Sequence, residues 1–143
     1  MKFIFLSNYA STLFLTGLIW TIQVVHYPLF EKVGKELFSE YHSLHSMRIT
    51  YIVLPVMLTE ILTGFLMISD TEYLSPTLSI ALFGMILAIW ASTFFLQVPY
   101  HGKLSGGYNP EDIHSLVNTN WIRTFFWTLR SIILSYIILR RLP

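Results

Sequence analysis

The sequence predicts an all-α integral membrane protein, a four-helix bundle in a single transmembrane domain over residues 1–143. Three observations predict it: 54% of the residues are hydrophobic, only 12% are charged, and four long apolar segments account for most of the chain. A soluble domain usually carries about twice this charged fraction. In a bilayer, a single segment satisfies its own backbone hydrogen bonds only as a helix, so the apolar segments are interpreted as helices.

Each apolar segment is close to the roughly 20 residues that a helix needs to cross a hydrocarbon core of about 30 Å. The first runs over about 3–25 and continues through Trp20 and Gln23 with no small-residue cleavage site, so we interpret it as a retained helix and not as a signal peptide. The other three helices are expected at about 46–69, 77–98 and 118–140.

The connections differ in length and composition. Asp70–Pro76 predicts a tight turn, which makes the second and third helices antiparallel neighbours. Tyr27–Arg48 and Pro99–Asn120 are expected to be longer polar links, and the order of the helices places both on one side of the membrane. The positive-inside rule favours this side as cytoplasmic, although basic residues also lie on the other side, so the orientation is left open.

The two halves of the chain share an order of Gln, His and Arg around a polar link. The matching residues are Gln23, His26 and Arg48 in the first half, and Gln97, His101 and Arg123 in the second. We interpret this order as an internal repeat of two tandem helix pairs, related by an axis along the membrane normal. The alternative is a chance similarity, because these residue types all suit a membrane interface.

The predicted topology brings the histidines to one membrane face. Neutral imidazole is a common ligand of transition metals, and helix bundles build metal and haem sites from histidines on facing helices. The candidate ligands of a transition metal or haem are therefore His26, His42, His45, His101 and His114. The candidate polar residues of a pocket beside them are Gln23, Arg48, Gln97, Asn120 and Arg123. The alternative is that these side chains only satisfy an interface.

Two ionisable residues lie deep in the predicted helices, Glu60 in the second and Arg130 in the fourth. Because an unpaired charge at that depth costs at least about 2.5–3.5 kcal/mol, we expect them to form an ion pair inside the bundle. The pair would fix helix register; a proton relay or a polar pocket floor is the alternative role. Gly17, Gly64 and Gly84 are expected where helices approach closely.

Short segments of the chain resemble known families. The segments 23–30 and 120–124 resemble a group of small uncharacterised bacterial four-helix membrane proteins. Val98-Pro99, followed by the same Asn120–Thr124 segment, resembles the anthrone-oxygenase-like membrane family. These resemblances imply a four-helix protein of the bacterial inner membrane that oxidises, or only binds, a lipophilic small molecule.

A further similarity links Arg48–Pro55 and Tyr100-His101-Gly102 to the bacterial membrane protoporphyrinogen oxidase, a four-helix protein that binds haem. That family has a His in its first helix and a Lys in its third. The predicted spans 3–25 and 77–98 contain neither, so porphyrinogen oxidation is not carried over to this chain.

Two classes of function follow. The first is an oxidoreductase or oxygenase-like membrane protein with a metal, a haem or a lipophilic substrate at the histidine layer. The second is a non-enzymatic protein that binds lipid or a small molecule, or is a subunit of a membrane complex; a homo-oligomer is left open. The formal net charge of +1 gives no basic field for nucleic acid, and the absence of cysteine removes thiolate ligands and thiol nucleophiles.

Overall fold

Four long helices make up the protein in the computed structural model, which describes residues 2–69 and 73–140. They are α1 (Lys2–Lys32), α2 (Phe38–Ser69), α3 (Pro76–Ser105) and α4 (Pro110–Leu139), and each is long and apolar enough to cross a membrane. The described residues contain no β-strand. The predicted all-α four-helix bundle is thus confirmed, and length and composition make it an integral membrane protein.

The helices are longer than the sequence predicts at the end where the polar links were expected. Only residues 33–37 and 106–109 connect α1 to α2 and α3 to α4. The polar links expected at 27–48 and 99–120 are therefore largely helical, because polar turns extend each helix past the apolar length on which the expected bounds rested. One consequence is that His26 lies in α1 and Lys103 in α3, outside the spans 3–25 and 77–98 that were expected for these helices.

On the opposite side, the predicted tight turn Asp70–Pro76 is only partly described, since residues 70–72 lie outside the described ranges. Its last residues start α3. Pro76 is the first helical residue, and the hydroxyl of Ser75 accepts a hydrogen bond from the backbone N–H of Leu78 at 3.3 Å. This serine cap and the following proline are typical of a helix start.

Each helix packs against its two neighbours in a ring: α1 contacts α2 and α4, and α3 contacts α4 and α2. The contacts between α2 and α3 lie mainly at Pro76–Ser92 and Val98–Ser105 of α3. The segment of α3 between them is a turn of π-helix, and the two helices are less closely packed there. This gap matters for the site described below.

Turns of π-helix interrupt α1 at Ile22–His26 and α3 at Thr93–Gln97, and each is followed two residues later by a proline, Pro28 or Pro99. A π turn adds one residue to the helix and rotates all that follows by roughly 100°. Both halves of the chain therefore contain a π turn followed by a proline. An alignment of the two halves on these prolines places Gln23 opposite Phe94, whereas the predicted repeat paired Gln23 with Gln97. The internal repeat therefore stays a prediction.

Glu60 and Arg130 are both at most 1% exposed, and Nε of Arg130 lies 3.3 Å from Oε1 of Glu60. The structure therefore contains the ion pair at the place where the sequence puts it. Thr12 donates to Oε1 of Glu60 at 2.7 Å, and the indole N–H of Trp127 donates to Oε2 at 3.0 Å. The guanidinium also donates to the side-chain oxygen of Asn8 at 3.0 Å. These bonds join α1, α2 and α4 at mid-depth.

The glycines are not equivalent. A Cβ added at Gly64 would lie 2.5 Å from Cδ1 of Ile86, so α2 and α3 approach closely there, as expected. A Cβ at Gly17 or Gly84 would meet nothing within 4 Å, and both residues are exposed. For these two glycines the prediction of close packing was wrong, because within the described part of the chain they lie on the outer surface of the bundle.

Candidate functional site: a lateral cavity with a polar end

A cavity of about 330 Å³ lies in the half of the bundle nearest the two links. Apolar side chains form most of its wall, among them Leu15, Ile19, Val53, Met57 and Trp127. Four of its lining residues are exposed, Thr50 and Leu54 of α2 and Phe94 and Val98 of α3, from which we infer that the cavity opens between these two helices. The outer side of a membrane-spanning bundle faces lipid, so we infer that this opening does too.

One end of the cavity is polar. The polar side chains that line it are Tyr27, Ser46, Gln97, His101 and Arg123. They come from all four helices. The π turns in α1 and α3 set the directions in which the side chains that follow them point, including Tyr27 and His101. Apolar clefts with a few convergent polar groups are the usual form of small-molecule sites.

Two polar atoms of this lining are buried and have no hydrogen-bond partner among the described residues: Oε1 of Gln97 and Nε1 of Trp90. The orientation of the Gln97 amide follows from its neighbour. The hydroxyl of Thr119 donates to the carbonyl of Ser115 at 2.7 Å, so it accepts from Nε2 of Gln97 at 3.0 Å. The amide oxygen then has no partner among the described residues. The residues that line the cavity thus include one buried acceptor and one buried donor without a partner.

Arg123 is 7% exposed, and a series of hydrogen bonds to residues that do not line the cavity fixes its guanidinium. Its Nε donates to Oδ1 of Asn120 at 2.9 Å, and Asn120 donates to Oε1 of Gln23 at 2.7 Å. Gln23 in turn donates to the carbonyl of Val117 at 3.1 Å. Gln23 and Asn120 were predicted as pocket residues, but neither lines the cavity; they fix the position of the guanidinium that does.

Four of the five candidate histidines lie together as two hydrogen-bonded pairs. Nε2 of His26 is 2.7 Å from Nδ1 of His45, and Nε2 of His42 is 2.9 Å from Nδ1 of His101. The pairs are adjacent, with 6.1 Å between the ring centroids of His45 and His101. Of the four, only His101 lines the cavity. The prediction of a histidine layer near one membrane face therefore describes a real cluster, with one member at the cavity.

The ring nitrogens of this cluster are not arranged as ligands of one shared metal ion. Ligand nitrogens must point their lone pairs at one common centre about 2.0–2.1 Å away. In each pair, however, one ring nitrogen faces another at hydrogen-bond distance. Over residues 2–69 and 73–140, no group of three or more His, Asp or Glu side chains is arranged to hold a metal ion. The arrangement is that of a hydrogen-bonded network.

Two predicted site residues lie elsewhere. His114 is exposed and pairs with Glu31, with 3.2 Å between Nε2 and Oε1, so it links α4 to α1 outside the cluster. Arg48 is exposed and does not line the cavity. It lies on an outer face of α2, whereas its predicted counterpart Arg123 faces the interior of the bundle. Similar sequence around the two arginines therefore does not give them similar surroundings.

Four residues in or next to the site were not among those predicted: Tyr27, Ser46 and Trp90, which line the cavity, and Ser105, whose hydroxyl lies 3.3 Å from Nδ1 of His42. Tyr27 had a sequence signal, because it lies four residues after Gln23 and so shares its helix face. The indole of Trp90 could equally belong to an interfacial anchor, and Ser105 stands in a stretch expected to be a loop. Both depend on the course of α3, which its π turn changes.

The fold defines a class, the four-helix integral membrane proteins, and this member has a cavity lined by residues of all four helices. Comparisons with protein-family models, with curated proteins and with solved structures give no match. The resemblance to the anthrone-oxygenase-like family therefore stays a prediction that rests on the short segments named above.

Proposed function

We propose that the protein binds a lipophilic small molecule in the lateral cavity and holds its polar end against Gln97, Trp90 and Tyr27. The observation that carries this proposal is the pair of buried, unpartnered polar atoms among the residues that line a largely apolar cavity. A buried polar atom left unpaired costs about 1–3 kcal/mol. A hydroxyl group on the ligand that donates to Oε1 of Gln97 satisfies this acceptor, and Nε1 of Trp90 is a donor for a second polar group of the ligand.

The oxidation that the family resemblance implies would act on this bound molecule, in a protein of the bacterial inner membrane. Non-enzymatic binding uses the same cavity without turnover. The two alternatives differ in one measurement. An enzyme converts the lipophilic molecule that co-purifies with it when an oxidant is supplied, as mass spectrometry of the extracted molecule would show, and a binding protein returns it unchanged.

Binding itself can be tested with 6-bromo-2-naphthol, a lipophilic hydroxyl compound whose bromine quenches tryptophan fluorescence. Trp90 and Trp127 line the cavity, so we expect saturable quenching of the protein in lipid nanodiscs. 2-Bromonaphthalene, which lacks the hydroxyl group, is expected to bind more weakly by about tenfold, since one hydrogen bond is worth roughly 0.5–1.5 kcal/mol.

The variant Gln97→Leu removes the free acceptor and should abolish the difference between the two probes. Thr50→Phe narrows the opening and should weaken both. Leu62→Phe is the matched control, because Leu62 is an exposed residue of the same helix outside the cavity, and it should change neither. Quenching that is unsaturable, or equal in Thr50→Phe and in Leu62→Phe, would contradict a binding site in the cavity.

A further inference from the structure

A continuous hydrogen-bonded chain leads from the end of α3 to the cavity. It begins at the hydroxyl of Ser105, which lies 3.3 Å from Nδ1 of His42. Nε2 of His42 lies 2.9 Å from Nδ1 of His101, and Nε2 of His101 lies 2.9 Å from the hydroxyl of Tyr27. Each of the two imidazoles therefore uses both of its ring nitrogens within the chain.

The two ends of this chain have different surroundings. Ser105 is exposed at the last residue of α3, beside the 106–109 link and thus on the aqueous side. His42 is fully buried and Tyr27 is 3% exposed. His101 and Tyr27 line the cavity. The chain thus connects the water at the link side to a cavity whose opening faces lipid.

All hydrogen bonds of this chain can form in two arrangements, in which the donors and acceptors are exchanged. In the first, Ser105 donates to His42, His42 donates to His101, and His101 donates to Tyr27, whose O–H is then free to donate into the cavity. In the second, every bond is reversed, and Ser105 donates instead to the backbone carbonyl of His101, which lies 2.9 Å away. A chain with two such complete arrangements is what proton transfer along it requires.

We propose that Ser105, His42, His101 and Tyr27 form a proton relay between the link-side water and the molecule bound in the cavity. This inference rests on the proposed function for the acceptor of the proton. Tyr27 gives its O–H proton to an oxygen or nitrogen of the ligand, and its oxygen takes the Nε2 proton of His101. Nδ1 of His101 takes the Nε2 proton of His42.

The transfer is completed at the aqueous end. Nδ1 of His42 takes the hydroxyl proton of Ser105, and the oxygen of Ser105 takes a proton from water. One proton enters, one leaves, and the chain passes from the first arrangement to the second with no redox step. The reverse sequence withdraws a proton from the ligand.

Arg123 supports this transfer as a positioning residue. One of its terminal nitrogens donates to the hydroxyl oxygen of Tyr27 at 3.4 Å. Its positive charge stabilises the negative charge that develops on that oxygen when the proton leaves, as a preorganised donor does at a reacting centre. The other histidine pair, His26 and His45, is not hydrogen-bonded to this chain, which makes it an internal control.

The relay can be tested with bound 6-bromo-2-naphthol in lipid nanodiscs. A stopped-flow drop from alkaline to neutral pH protonates the bound naphtholate, and the loss of its absorbance gives the rate. His42→Gln retains a hydrogen-bonding side chain but does not pass a proton readily. We expect it to slow this protonation by at least about tenfold, a conservative bound against the roughly 10²–10⁴-fold that positioned proton transfer contributes, with an unchanged dissociation constant.

His26→Gln is the matched control and should protonate the naphtholate at the wild-type rate. If His42→Gln binds the probe and protonates it as fast as His26→Gln does, the relay is wrong while the binding site stands. If the probe shows no saturable binding to the wild-type protein, the proposed function fails instead. These two failures are therefore distinguishable.

A second measurement needs no ligand and no His42 variant. In protein labelled with ¹⁵N-histidine, ring nitrogen shifts report which nitrogen of each imidazole carries the proton. Tyr27→Phe removes one end of the chain, so we expect it to change the tautomer populations of both His101 and His42, but not those of His26. Unchanged His42 signals in Tyr27→Phe would show that the chain is not coupled and would overturn the relay.

Discussion

At the residue scale, the main electrostatic interaction inside the described part of the bundle is the buried ion pair of Glu60 and Arg130. Neither charge reaches solvent, and together they accept or donate hydrogen bonds to side chains of α1 and α4. A buried ion pair gains little over an apolar pair, but removing one partner leaves an uncompensated charge, which costs about 3–5 kcal/mol. The pair therefore makes the correct assembly of these helices far more favourable than an assembly that separates it.

Glu60→Gln tests this role, because it removes the charge and retains the shape. We expect a loss of stability of about 3–5 kcal/mol, seen as a lower folded yield in detergent and a lower midpoint of thermal aggregation. Glu111→Gln is the control, since Glu111 is an exposed carboxylate in the first turn of α4. Equal yield and equal midpoints for the two variants would contradict a pair that holds the fold.

At the scale of the elements, one close contact and one gap describe how α3 packs against α2. Near Gly64 it lies close to α2, and at its π turn it leaves a gap that forms the mouth of the cavity. Small residues permit the close approach of membrane helices, whereas the π turn redirects a helix without breaking it. α3 is thus packed closely against α2 near Gly64 and is separated from α2 at the π turn.

Gly64→Ala should disturb the anchored end. The added methyl group would overlap Cδ1 of Ile86, a fully buried side chain, so we expect a destabilisation of about 1–3 kcal/mol, measured as a lower thermal midpoint in detergent. Gly84→Ala is the matched control, because its methyl group meets open space and the gain in helix propensity is the same. A midpoint for Gly64→Ala at or above that of Gly84→Ala would show that the close contact does not limit packing.

At the scale of the whole molecule, four antiparallel helices in a ring place both connecting segments on one membrane face and both ends of the described chain on the other. Burial is concentrated along the centre of the bundle, and large apolar side chains are exposed around its outside, for example Tyr51, Leu62, Phe95 and Ile132. This distribution suits lipid as the surrounding solvent.

The topology is directly testable because the natural chain has no cysteine. Single cysteines introduced at the exposed positions Glu36 and Glu111 should react with a membrane-impermeant thiol reagent from one side of sealed vesicles. Cysteines at Thr77 and Arg140 should react only from the other side. If Glu36 and Thr77 reacted from the same side, α2 would not cross the membrane and the four-span arrangement would be wrong.

The sequence by itself determined the features that depend on the amount and spacing of apolar residues. Four membrane-length segments require four helices, and two charges at mid-depth require each other, so the bundle and the Glu60–Arg130 contact followed from local pattern and the cost of burying charge. The presence of a histidine cluster also followed, because the helix order brings one end of every helix to the same face.

Only the tertiary structure decided which polar side chains meet. The π turns change the direction of the side chains that follow them, and the helices continue through segments whose polarity suggested loops. Tyr27 and Trp90 thus came to the cavity, while Arg48 and His114 did not. The physical reason is that helical pattern specifies which residues leave the lipid, whereas the contacts among them depend on small rotations along each helix that no local pattern records.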